Sequence, residues 1–204
     1  MNAQEIVFVV EDDASLRNSL AWMFDSNGIS CATFDSAHTF MLQAVVNCPS
    51  CLILDLALPG MSGIDLLREI GKRPELAMPI IILTGRANVP AAVECMKLGV
   101  ADFLEKPIEH GILLAKIREL LAIDVHRREQ REKSARLKQR VDRLTDRERE
   151  VLSLLCEGKS TKEIAAQINI SIKTVSIHRW HLMKKMQVGS ATEAVRLAHD
   201  ASFV

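Results

Sequence analysis

Two short apolar runs near the start of the chain each stop at carboxylates. The run IVFVV leads into Glu11, Asp12 and Asp13, and the run CLIL leads into Asp55. A buried strand can end in a charge only where its end reaches solvent. A parallel sheet offers such a place in the crevice beyond the carboxyl ends of its strands, where these folds bind ligands. Carboxylates crowded there repel one another unless a hard cation neutralises them. Mg²⁺ suits the position, because it binds through one or two carboxylates, retained waters and a phosphate oxygen. One carboxylate is then free to act as a nucleophile towards phosphorus.

The first 120 or so residues alternate such runs with amphipathic stretches. The pattern predicts strands over 5–10, 30–34, 51–55, 79–83 and 101–105, and helices over 14–27, 36–46, 63–71, 88–98 and from about 109. Strict alternation with short connections argues for a parallel sheet covered by helices on both faces. The turn LPGMSG after Asp55 is the expected strand-to-helix connection. With 4% aromatic residues in a chain that is 48% hydrophobic, Leu, Ile, Val and Met must fill the core. No run of about 18 apolar residues and no cleavable leader is visible, so the expectation is a soluble cytoplasmic protein without a membrane partner.

The zero net charge conceals two unlike halves. Residues 1–123 hold 9 Lys and Arg against 15 Asp and Glu, whereas residues 124–204 hold 17 against 11. An acidic domain joined to a basic one, suited to nucleic acid, is the natural reading. Between them, residues 112–157 contain neither Gly nor Pro, and 126–140 are dominated by Arg, Lys, Glu and Gln. Leu137, Val141 and Leu144 keep a spacing of four then three, which favours a helix, with pairing to a partner helix as one use of that seam.

The last sixty residues are helical in pattern. Thr145/Glu148, Ser160/Glu163 and Ser190/Glu193 each have the capping-box spacing, and Ser171 offers a further N-cap. Helices over 146–157, 161–168, 172–187 and 191–199 follow, with Gly158 as a C-terminal stop. A helix, a turn and a longer helix suit a helix-turn-helix, whose second helix enters the major groove. On a wheel of 172–187, Ile172, Val175, Leu182, Met183 and Met186 share one face, and Lys173, Ile177, Trp180, His181 and Lys184 lie opposite. Arg179 falls within the apolar face, which assigns it a structural role, snorkelling or pairing with Glu148 or Glu163.

Two further strands end in polar residues, Thr84 after Leu83 and Lys106 just past Leu104. In a parallel sheet these ends share an edge with Glu11, Asp12 and Asp55. Each alone has a plain explanation, such as a surface lysine or an ordinary strand end. Together they suffice for phosphoryl transfer to Asp55: a metal and Lys106 neutralise the phosphoryl oxygens, Thr84 donates a hydrogen bond, and the sheet supplies positioning. Cys48 and Cys51 form a CPSC motif, but the pair leads into a strand and has no second pair, so ordinary reduced thiols are expected.

Residues 3–122, through VVEDD, LILDLALPGMSG, IILTGRA and ADFLEKP, resemble the receiver domain of two-component response regulators. The resemblance implies an α/β flavodoxin-like (βα)5 fold and Asp55 as phosphoacceptor. It makes Asp12 the direct Mg²⁺ ligand, with Glu11 acting through water and the Ala57 carbonyl completing the shell. Glu11 stands where aspartate is commoner. Lys106-Pro107 takes the place of the family's cis peptide, and Gly85 leaves the approach to the phosphate open. A phosphoryl group adds roughly −1.5 to −2 of charge. Thr84 should then move towards it, Phe103, by residue type a plain core side chain, should turn into the vacated space, and the reshaped 88–105 surface should pair with its twin in a homodimer.

Residues 144–197, through LTDREREVL, GKSTKEIA, ISIKTVSIH and KKM, resemble the LuxR-type output domain of the NarL/FixJ class, a small all-α helix-turn-helix domain. That resemblance implies backbone contacts from Lys173, Thr174 and Lys185 and base contacts from Ser176, Ile177 and Trp180, with Lys184 on the same basic face. Many relatives carry a charge at the position of Ser176, and Trp180 is an unusual base reader, so no operator sequence carries over. Trp180 stacks, packs on a thymine methyl or the sugar backbone, or meets a second copy.

The implied organisation is a receiver domain at 1–122, a helical linker at 123–143 and a DNA-binding domain at 144–204. The implied protein is a response regulator transcription factor, with a sensor histidine kinase and double-stranded DNA as partners and RNA polymerase as a further one. It is no enzyme beyond its own phosphotransfer and dephosphorylation. A phosphatase with an aspartyl-phosphate intermediate would carry a second Asp two residues after the nucleophile, where Ala57 stands. A regulator whose receiver serves only as a dimerisation module is the third reading.

Overall fold

The computed structural model describes residues 5–85 and 89–201. Five strands, β1 (Ile6–Val10), β2 (Ser30–Phe34), β3 (Ser50–Leu54), β4 (Ile80–Thr84) and β5 (Asp102–Glu105), form one parallel sheet in the order β2-β1-β3-β4-β5. Alternate residues of a strand face opposite sides, and here both sides are covered. Phe8, Val10, Leu52, Leu54 and Ile82 pack with α2 (Ala37–Gln43), α3 (Gly63–Gly71) and α4 (Val89–Lys97). Val7, Val9, Ile53, Ile81 and Leu83 pack with α1 (Ala14–Ser26) and the first turns of α5 (His110–Asp142). The sheet, its parallel pairing and its two helical layers match the expected flavodoxin-like architecture. The predicted 88–98 helix and 88–105 surface begin at residue 88, and the IILTGRA motif includes Arg86 and Ala87; all three lie outside the described residues.

Contacts divide the chain into two units, residues 1–128 and 129–204, and α5 contributes residues to both. The charged stretch whose spacing favours a helix is helical. Its residues 129–136 are all exposed, between Asp124, buried in the first unit, and Leu137, buried in the second.

In the second unit α6 (Asp146–Cys156), α7 (Thr161–Gln167), α8 (Ile172–Met186) and α9 (Ala191–Asp200) surround Val151, Leu152, Ile164, Val175, Leu182, Met186 and Ala194. Val141 and Leu144 belong to this core and Leu137 is buried as well, so the spacing that suggested a partner helix is satisfied within the chain. Two of the three capping boxes are complete: Glu148 and Glu163 accept from the backbone N–H of Thr145 and Ser160 at 2.8 and 2.7 Å. At the third, Ser190 caps the Glu193 N–H, but the Glu193 carboxylate reaches past it to Gly189. Gly158 ends α6 with φ +78°, a left-handed conformation that suits glycine.

Candidate functional site

The sheet register builds the first site. Val10 lies beside Leu54 across β1 and β3, so Glu11 and Asp55 leave the sheet side by side. The Asp55 N–H donates to the Val10 carbonyl at 3.0 Å, and the Lys106 N–H to the Thr84 carbonyl at 2.9 Å, fixing the neighbouring pair of ends. Glu11, Asp12, Asp55, Ala57, Thr84, Gly85 and Lys106 all line one cavity of about 610 Å³.

Within it the Lys106 ammonium donates to both Glu11 Oε2 and Asp55 Oδ2 at 2.6 Å. The second Asp55 oxygen accepts from the Ala57 N–H at 3.0 Å. Glu11, Asp55 and Thr84 are buried, whereas Asp12 is exposed. Burial pushes the Glu11 carboxyl above its ordinary range, with Lys106 pulling against it. Burial also pulls on the Lys106 ammonium, but the bonds to Asp55 and Glu11 outweigh that and hold its pKa above the usual lysine value.

Carboxylate oxygens of Glu11, Asp12 and Asp55 lie within 4.8 Å of one another, a hard-oxygen donor set that could hold a metal ion. Three carboxylates against one ammonium leave a net charge of about −2, which suits a divalent cation. Asp13, the third member of the acid run, is spent elsewhere: its carboxylate caps α1 by accepting from the Ser15 and Leu16 N–H groups. Arg17 braces the same loop, donating to the Glu11 and Asp12 carbonyls at 2.8 and 3.1 Å. That role had no signal beyond a basic residue one turn into a helix. Gly63 is a second supporting residue that pattern alone missed. A Cβ there would lie 2.4 Å from the Asp55 carbonyl oxygen, so the start of α3 can rest on the Asp55 peptide only as glycine. At Gly85, by contrast, a Cβ would meet nothing within 4 Å, so packing does not require glycine there.

Phe103 on β5 is half-buried against the core layer that includes Cys95 of α4. Lys106-Pro107 is cis. On α4 the exposed apolar residues Val89, Val93 and Met96 recur at helical spacing. Cys48 and Cys51 carry free thiols, and burial pushes both upward in pKa, the opposite of a reactive thiolate.

The second candidate site is the outer face of α8. Lys173, Ser176, Ile177, Trp180, His181 and Lys184 are all exposed, at spacings of three and four that make one continuous stripe. Lys184 Nζ sits 5.0 Å from the Trp180 ring centroid, and the His181 ring centroid is 5.0 Å from that of Trp180. Thr174 is held at the start of the helix by Ser171, whose hydroxyl accepts its N–H at 3.0 Å.

Two expectations for this helix need correction. Ile172 is half exposed, since the core begins one turn later at Val175. Arg179 does pack inward, but it donates to the Thr161 hydroxyl rather than to a glutamate. Glu148 instead accepts from Lys185 at 2.6 Å and Glu163 from the Ser160 N–H. Lys185 thus ties α8 to α6 besides facing solvent in part.

Comparison with known proteins follows this division. The response regulator receiver domain matches residues 7–118, and the bacterial regulatory proteins of the luxR family match residues 142–198. The chain is 38% identical to the transcriptional regulatory protein FixJ of Bradyrhizobium diazoefficiens, over 100% of this chain and 99% of that one. The chain belongs to the response regulators of the NarL/FixJ class. Another FixJ, from Azorhizobium caulinodans, is also 38% identical, over 94% of this chain and 90% of its own. Among solved structures the response regulator StyR matches with a TM-score of 0.88 at 38% identity, covering 97% and 99% of the two chains. Full-length FixJ from B. japonicum matches with a TM-score of 0.57 at 36% identity over the whole of both. As a NarL/FixJ-class response regulator the protein combines a receiver domain with a LuxR-type helix-turn-helix and controls transcription. No helix among the described residues is long and apolar enough to cross a membrane.

Proposed function

We propose that Asp55 is the residue that accepts the phosphoryl group. The supporting observation is that its carboxylate is already held at both oxygens, by Lys106 and the Ala57 N–H, beside two further acids. A sensor histidine kinase supplies the group: an Asp55 oxygen attacks phosphorus and the phosphohistidine nitrogen leaves. Glu11, Asp12, Asp55 and the Ala57 carbonyl would hold Mg²⁺, Glu11 through water, and the ion would neutralise charge on the phosphoryl oxygens. Lys106 pairs with a second phosphoryl oxygen, and the Thr84 hydroxyl donates to a third. Thr84 and Phe103 then shift together and reshape the surface from 88 to 105. The apolar stripe Val89, Val93 and Met96 supports that surface as the homodimer contact. Phosphate can act here only by favouring one of two states.

The paired output domains bind double-stranded DNA through Lys173, Thr174, Ser176, Ile177, Trp180, Lys184 and Lys185, in the cytoplasm and within reach of RNA polymerase. The working boundaries are 1–122 for the receiver, 123–143 for the linker and 144–204 for the output domain. Incubation with acetyl phosphate and Mg²⁺ should label the wild type at one site and leave Asp55→Asn unlabelled with its fold intact by circular dichroism. Labelling that survives in that variant refutes the assignment.

A further inference from the structure

The exposed stripe of α8 is charged at its ends and apolar in its middle. Lys173 and Lys184 stand eleven residues apart, about 16 Å along the axis. Between them Ile177 is 47% and Trp180 55% exposed. Two such side chains on a solvated helix gain nothing from water, and neither enters the core of its own unit. Of the polar residues in the middle, Ser176 is turned back on its helix and donates to the Ile172 carbonyl at 3.0 Å, and His181 lies against the indole. The indole is further restrained by the Lys184 ammonium over its ring and by His181 beside it. A pre-set apolar surface flanked by cations is complementary to a groove that is anionic at its rims and apolar at a point on its floor.

The base edges in the major groove carry hydrogen-bonding atoms, with one apolar group among them, the C5-methyl of thymine. We infer that Trp180, with Ile177 beside it, reads thymine methyl groups in the major groove and makes T·A pairs a specificity determinant of the site. This rests on the DNA-binding reading and narrows it to one chemical feature. Lys173 and Lys184 meet phosphates on either side and carry no sequence information themselves. Trp180 is thereby a base reader rather than a contact with a second copy.

The test uses the full-length protein with beryllofluoride as phosphoryl mimic and a random-sequence duplex DNA library. Enriched duplexes should share T·A pairs at fixed positions in each half-site. Resynthesis with deoxyuridine at those positions removes the methyl and leaves every hydrogen-bonding atom in place. Each methyl lost should weaken wild-type binding about 3- to 5-fold, the transfer free energy of one methyl expressed as an affinity ratio. Trp180→Ala should bind thymine and uracil duplexes alike at the position it reads, with helix content unchanged because the side chain is exposed. Enriched duplexes on which uracil binds as tightly as thymine overturn the inference but leave DNA binding standing. A Trp180→Ala variant as sensitive to uracil as the wild type overturns the assignment to Trp180. A library with no enrichment overturns the inference, and failure to retain any duplex overturns the DNA-binding reading with it.

Discussion

Glu148 is 3% exposed, and burial by itself would raise its pKa. The Lys185 ammonium and the Thr145 N–H outweigh that and hold it below the ordinary glutamate range. A carboxyl depressed on folding contributes stability that is complete above its unfolded pKa of about 4.3 and is lost as pH falls through the folded value. Removing Lys185 leaves a buried acid with one backbone partner. Lys185→Ala should lower stability at neutral pH by about 1–2 kcal/mol, less than for a fully enclosed pair because the lysine side chain is 36% exposed. Thermal melts from pH 7 to pH 3 should show the wild type and the variant converging in acid; parallel curves would mean that the pair contributes nothing. The capping of Thr145 by Glu148 was legible from a three-residue spacing. Its pairing with Lys185 was not, because it depends on how α6 crosses α8, 37 residues later.

At the level of elements, the strand ends that carry the acids, Thr84 and Lys106 were readable because apolar runs of five residues permit few alternatives. Their pairing order settles the rest: β1 beside β3 brings Glu11 next to Asp55, although they stand 44 positions apart. Gly63 escaped notice for a related reason, since a helix start can touch a strand end only after both are placed. Helix faces were legible where the period ran long, as on α8, and failed at its first turn, where Ile172 has the right phase but nothing to pack on. The stripe on α4 has the same period. A charge in its middle, Val93→Asp, should leave labelling by acetyl phosphate unchanged and abolish the homodimer proposed to form on phosphorylation, measured by light scattering. A variant that still dimerises would move the contact to another surface.

Across the whole molecule the halves differ in kind: a net −6 over residues 1–123 and +6 over 124–204. Each has its own core, and α5 supplies side chains to both. Leu113, Ile117 and Leu121 are buried in the first unit and Val141 in the second, and the eight exposed residues 129–136 between them include no buried side chain. That stretch keeps its helix through main-chain bonds and the exposed Arg136–Glu132 pair at 3.3 Å, a contact worth well under about 1 kcal/mol. Helix that buries none of its side chains opens at little cost. Arg131, Lys133 and Arg136 lie in it, so brief trypsin treatment of the native protein should nick the chain here first, yielding by mass spectrometry an intact acidic fragment and an intact basic one. A first cut within either core would show that some other segment is the least protected.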